Sequence, residues 1–116
     1  MTIRLKRAYE PAEPGDGRRF LVERLWPRGI RKSDLPLEAW LKDVAPSPAL
    51  RTWFAHDPAK WGAFKQRYAA ELRANEAALA PLRAAARRGT VTLVYAARDP
   101  EHNSALLLRE HLLRSQ

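Results

Sequence analysis

The run Thr90-Val91-Thr92-Leu93-Val94-Tyr95-Ala96 constrains this chain most, because it is β-branched or apolar almost throughout and is bracketed by Gly89 and by Asp99-Pro100. A segment without polar alternation suits a strand covered on both faces, the usual condition of a parallel sheet. Its partners must come from far upstream, since the preceding stretch is helical in pattern. Two segments qualify. Ile3-Arg4-Leu5-Lys6-Arg7-Ala8-Tyr9 alternates apolar and basic residues as a half-buried strand does, and Phe20-Leu21-Val22-Glu23-Arg24-Leu25-Trp26 is a mostly apolar run between Gly17 and Pro27. Residues 10–17 hold two prolines and two glycines and read as a surface loop.

Helices fill the middle. Ser33-Asp34 ahead of Leu35-Pro36-Leu37-Glu38 supplies cap candidates for a helix through about Val44, and Ala45-Pro46-Ser47-Pro48 ends it. Ser47 then caps a short second helix that carries Leu50, Trp53 and Phe54 inward, with Pro48 at its first position. Asp57-Pro58 opens a third, in which Trp61, Phe64, Tyr68, Leu72, Asn75, Leu79 and Leu82 recur at spacings of three and four, with Pro81 as a kink or split. A last helix spans about residues 101–114, with an apolar face of Leu106, Leu107, Leu108, Leu112 and Leu113. The order β-β-α-α-α-β-α predicts one α/β domain over residues 1–116, with a three-stranded, mainly parallel sheet covered by helices.

Composition narrows the chemistry. No cysteine is present, which excludes disulfides, thiolate metal sites and cysteine nucleophiles and fits a reducing compartment. Three histidines without close spacing give no dedicated metal site, and no glycine-rich nucleotide motif calls for a cofactor. No stretch nears the roughly 20 apolar residues that span a bilayer, and the first residues lack a signal peptide's apolar core. The expectation is a cytoplasmic protein without a membrane partner. Lys and Arg number 21 against 13 Asp and Glu, a formal charge of +8 dominated by arginine, which favours anionic partners. An alanine- and arginine-rich composition accounts for part of that charge on its own.

In open α/β sheets ligands bind beyond the carboxyl ends of the strands. Two such ends are chemically loaded here: Arg24-Leu25-Trp26-Pro27-Arg28-Gly29-Ile30-Arg31 after the second strand, and Ala97-Arg98-Asp99-Pro100-Glu101-His102-Asn103-Ser104 before the last helix. If those strands are parallel neighbours, Arg24, Arg28, Arg31 and Arg98 line an anion site for phosphate or carboxylate at the helix N-terminus, with Asn103 and Ser104 as neutral donors. His102 is then the candidate acid or base of a hydrolase or transferase. The bland alternative has Arg24 pairing with Glu23 or Glu101, Asp99 capping the helix, and Trp26 in the core. The rival functional class is a non-enzymatic module in which the basic surface meets nucleic acid or an acidic protein, although no zinc-finger, ribonucleoprotein or helix-turn-helix motif supports nucleic acid. Self-association through the Leu-rich last helix is a third option; the sequence leaves oligomeric state open.

At these same residues the chain resembles the bacterial YeaO-like family, domain of unknown function 488. The resemblance rests on residues 22–29 (Val22 through Gly29), on Trp40-Leu41-Lys42-Asp43-Val44-Ala45-Pro46-Ser47 continuing through Leu50 to Pro58, and on Tyr95 through Asn103. It implies a compact α/β fold and a bacterial cytoplasmic setting, and it implies no particular reaction. Wider relatives look as if they place a Cys-His-Arg cluster after the last strand. Asn103 and Ser104 stand there in this chain, so thiol chemistry does not carry over.

Overall fold

The computed structural model describes residues 1–115. Four parallel strands form one sheet in the order β1-β4-β2-β3, where β1 is Ile3–Arg7, β2 Arg18–Leu21, β3 Ala39–Trp40 and β4 Val91–Tyr95. The run that dominates the sequence, β4, is central, pairing with β1 through Ile3↔Val91 to Arg7↔Tyr95 and with β2 through Arg18↔Val91 to Leu21↔Val94. The α/β class and the parallel sheet agree with the sequence reading. Among the described residues the sheet has four strands rather than three.

The extra strand replaces the first expected helix. Between Ser33 and Val44 the chain instead makes a 3₁₀ turn at Lys32–Asp34, the two-residue β3, and another 3₁₀ turn at Lys42–Val44. Pairing decides this, because β3 takes Phe20↔Ala39 and Leu21↔Trp40 from β2, with Glu38 N and Leu41 N donating to Arg19 O and Leu21 O. Tertiary hydrogen bonds here outweigh the local cap signal. The remaining helices are α1 (Pro48–Phe54), α2 (Trp61–Ala74), α3 (Ala80–Arg88) and α4 (Ser104–Arg114). Ser47 Oγ accepts from Leu50 N and opens α1, and Asp57 accepts from Ala59 N ahead of α2. The long third helix of the sequence reading is divided at Asn75–Leu79, and Pro81 sits in the first turn of α3, where its missing N–H costs nothing. None of these helices is long and apolar enough to cross a membrane.

Chain connectivity makes the two sheet faces unlike. The long route from β3 to β4 carries α1, α2 and α3, and these pack with α4 on the face bearing Ile3, Phe20, Val22, Val91, Leu93 and Tyr95. Phe54, Trp61, Phe64 and Tyr68 stack in series across that core, with ring centroids 4.3 to 6.0 Å apart. The two short routes, residues 8–17 and 22–38, contain no α-helix. They cover the other face, where a small apolar cluster of Ala8, Leu21, Leu35 and Val94 adjoins buried ions.

Those ions are Lys6, Asp16 and Arg19, all under a tenth exposed. Lys6 Nζ donates to Pro11 O (2.9 Å), Glu13 Oε1 (2.7 Å) and both oxygens of Asp16, while Arg19 Nη1 reaches Asp16 Oδ2 at 2.6 Å. Thr92 Oγ1 of β4 donates to Asp16 O, which fixes the crossing loop to the sheet. Burial alone would raise the Asp16 carboxyl, but hydrogen bonds from Lys6, Glu13 N and Arg19 overcome it and hold the group down at about 2. Gly17 is the close point of this crossing. Its φ is +63°, and a Cβ there would lie 2.2 Å from Thr90 O.

Candidate functional site

β2 and β4 are parallel neighbours, so their exits do lie side by side at the carboxyl edge of the sheet. Glu23 ties them together. Its Oε2 accepts from Ala96 N at 3.2 Å, and its carbonyl accepts from Trp40 Nε1 at 2.6 Å. Burial pushes the Glu23 carboxyl up, while the Ala96 N–H and the nearby Arg51 and His56 pull it back. His56 and Ala55 end α1 in the left-handed region, at φ 56° and 48°, an uncommon conformation for residues with a Cβ.

Arg7 closes the same edge from β1. Its Nε donates to Ala97 O at 3.0 Å and Nη2 to Ala96 O at 3.4 Å, and its guanidinium lies 4.9 Å from the centre of the Tyr9 ring. The Tyr9 hydroxyl in turn donates to Arg28 O at 3.0 Å. A continuous set of contacts therefore runs from Arg28 through Tyr9 and Arg7 to the peptide preceding Arg98.

The arginines expected at this edge have separate fates. Arg24 bends toward the helices, donating to Pro46 O (3.2 Å) and Ala45 O (3.3 Å) and pairing with Asp43 at 3.5 Å rather than with Glu23 or Glu101. It lines a cleft of about 280 Å³ whose other polar walls include Asp43, Ser47 and Glu71, an unfavourable setting for an anion. Arg31 is exposed and pairs with Asp34 at 3.1 Å. Arg28 and Arg98 are exposed, and among the described residues neither guanidinium has a hydrogen bond or ion pair.

Asn103 is the buried N-cap of α4. Its Oδ1 accepts from Leu106 N and its Nδ2 donates to Asp99 O, so its amide is occupied by the helix start, and Ser104 follows as the first helical residue. Asp99 accepts from the N–H groups of Glu101 and His102, and its Oδ2 lies 2.8 Å from His102 Nδ1. The Glu101 N–H foremost, followed by His102, holds the Asp99 carboxyl below its ordinary range. His102 is partly exposed and meets the Trp61 ring edge-on at 5.2 Å. This pairing orients the imidazole and turns Nε2 away from Asp99. Among the described residues, no cluster of three or more His, Asp or Glu side chains is placed to hold a metal ion.

Arg7, Tyr9 and Glu23 belong to this edge yet were not singled out from sequence. Arg7 continues the alternation of β1, and its turn onto β4 depends on the strand order. Glu23 had a signal, an acid closing an apolar strand, but its partner is a backbone N–H far along the chain.

Fold and edge together define a small α/β domain with a parallel sheet, helices on one face and an arginine-rich strand edge. The chain belongs to the family described as the inactive DUF488-N3 subclade, whose model matches residues 2–116. It is 43% identical over 112 residues to the uncharacterized protein YeaO of Escherichia coli, with 97% of each chain covered. It is 46% identical over 110 residues to the uncharacterized protein Rv3073c of Mycobacterium tuberculosis, covering 95% of this chain and 92% of that one. No solved structure matches.

Proposed function

We propose that this chain is a binding domain for a small phosphate- or carboxylate-bearing anion, held at the carboxyl edge of the sheet by Arg28 and Arg98. One observation carries the reading: Arg7, Arg24 and Arg31 are engaged by carbonyls or carboxylates, whereas Arg28 and Arg98 keep their full donor capacity next to the same strand exits. An unspent guanidinium is the group best suited to a planar or tetrahedral oxyanion. His102, its ring oriented by the 2.8 Å contact of Nδ1 with Asp99, adds a hydrogen-bonding group at the start of α4.

Binding without turnover fits better than the hydrolase or transferase reading. The family's description as inactive points that way. So does the cysteine-free sequence, which offers no thiol nucleophile. A cytoplasmic setting follows as part of this proposal.

The test is thermal unfolding at constant ionic strength with added inorganic phosphate, pyrophosphate or citrate. Selective binding raises the melting temperature by mass action. Wild type and Arg31→Ala should respond alike, and Arg28→Ala and Arg98→Ala should each need about tenfold more anion for the same rise, the size expected for one charge-assisted contact. An equal response in all four proteins, or none, would overturn the reading. Tighter, steeply salt-dependent binding of a short DNA duplex would replace it with the nucleic-acid alternative.

A further inference from the structure

The face covered by loops contains a pocket of about 340 Å³ between residues 8–12, 29–30 and 34–36, at the small end of ligand-site volumes. Much of its wall is apolar, from Tyr9, Pro11, Ile30, Leu35 and Pro36. Arg19 contributes the buried polar group. Its Nε donates to Pro36 O at 2.9 Å and its Nη1 to Asp16, but Nη2 is buried and has no hydrogen-bond partner. Buried donors without acceptors are rare and mark places where a further group is wanted.

Charge specifies that group. Lys6 and Arg19 are two buried cations against the single buried anion Asp16, and Glu13, the other acid on Lys6, is largely exposed. Arg19 shares Asp16 with Lys6 and still holds Nη2 without an acceptor, which a carboxylate oxygen would supply. Two carboxylates, Glu10 and Asp34, also line the pocket, so a multiply charged anion is repelled more strongly than a single carboxylate on an apolar body. We infer that this pocket binds a small amphiphilic monocarboxylate whose carboxylate oxygen accepts from Arg19 Nη2 and whose hydrocarbon part lies against Ile30, Leu35 and Pro36. This site borders the Arg28–Arg98 edge at Tyr9 and Gly29 but has the opposite preference, for one charge and an apolar body over phosphate.

The experiment titrates the full chain with isovalerate, with its uncharged counterpart isoamyl alcohol, and with inorganic phosphate, following the Arg19 Nε–H resonance by NMR. Isovalerate should give a saturable shift, about tenfold weaker for the alcohol, which lacks the charge-assisted contact. Arg19→Lys, which keeps a cation but removes Nη2, should weaken isovalerate by a similar factor, read by melting temperature. Ala12→Phe, a change at an exposed loop residue lining the pocket, should abolish the isovalerate response while leaving the phosphate response of the edge intact. An isovalerate response that is absent in wild type, matched by the alcohol, or preserved in Ala12→Phe would overturn the inference. Loss of the phosphate response in Arg98→Ala, by contrast, bears only on the edge.

Discussion

The two faces of this sheet are stabilised by different physics. On one, four helices bury Leu79, Leu82, Leu93 and Leu108 completely, and the interactions are non-directional. On the other, two helix-free connections close over Lys6, Asp16 and Arg19, and the interactions are few, directional and interdependent. An apolar core tolerates relaxation around a lost methyl group, whereas a buried ion network loses its balance when one member goes. Specificity can arise on the loop-covered face, because among the described residues the buried side-chain polar atom without a partner, Arg19 Nη2, lies there.

Removing the shared anion tests this contrast most severely. Asp16→Ala leaves Lys6 and Arg19 without their common partner and should cost about 3–5 kcal/mol in urea unfolding, as breaking a buried pair does. Leu93→Ala, the corresponding lesion on the helix face, should cost about 2–5 kcal/mol. The distinction between them lies in pH. Because the Asp16 carboxyl is depressed to about 2 in the folded chain, its contribution is fully present above its unfolded value and is lost as pH falls through the folded one. Wild type and Leu93→Ala should therefore both lose stability between about pH 4 and pH 2. That decline should be shallower in Asp16→Ala, and an unchanged slope would remove Asp16 as its cause.

Gly17→Ala comes next, at about 1–3 kcal/mol or more, since it combines a left-handed φ with a backbone clash at Thr90. Ser47→Ala should cost about 1 kcal/mol, because Ser47 both caps α1 and donates to Glu71 Oε2 at 2.6 Å. Arg98→Ala should change stability by less than about 0.5 kcal/mol while weakening anion binding, the signature of a surface residue serving a ligand rather than the fold.

How much of this could be read beforehand depended on range. Ser47 and Asp57 were legible as caps because capping involves residues two or three apart. The same local signal at Ser33-Asp34 misled, because β3 forms through pairing with β2, a contact no local pattern encodes. The division of the third helix was visible in Pro81, yet the break falls earlier, at Asn75, whose side-chain amide donates to Asp43 O across the chain. At the edge, strand order placed the Arg24 and Arg98 segments together, but backbone position does not fix where a long side chain goes. Arg24 was drawn off by the carbonyls of Ala45 and Pro46, and Asn103 by its own helix. Arg19, an arginine within a buried strand, carries no local signal of its role, because that role depends on the loop that crosses above it.

The proposed anion site rests on the guanidiniums of Arg28 and Arg98, which among the described residues have no hydrogen bond or ion pair. Backbone NMR during a phosphate titration at fixed ionic strength tests it most directly. Saturable shifts should concentrate at residues 7–9, 28 and 96–98, with α2 and α3 silent. Shifts scattered over the basic helix surface, or centred on Arg67, Arg87 and Arg88, would contradict it.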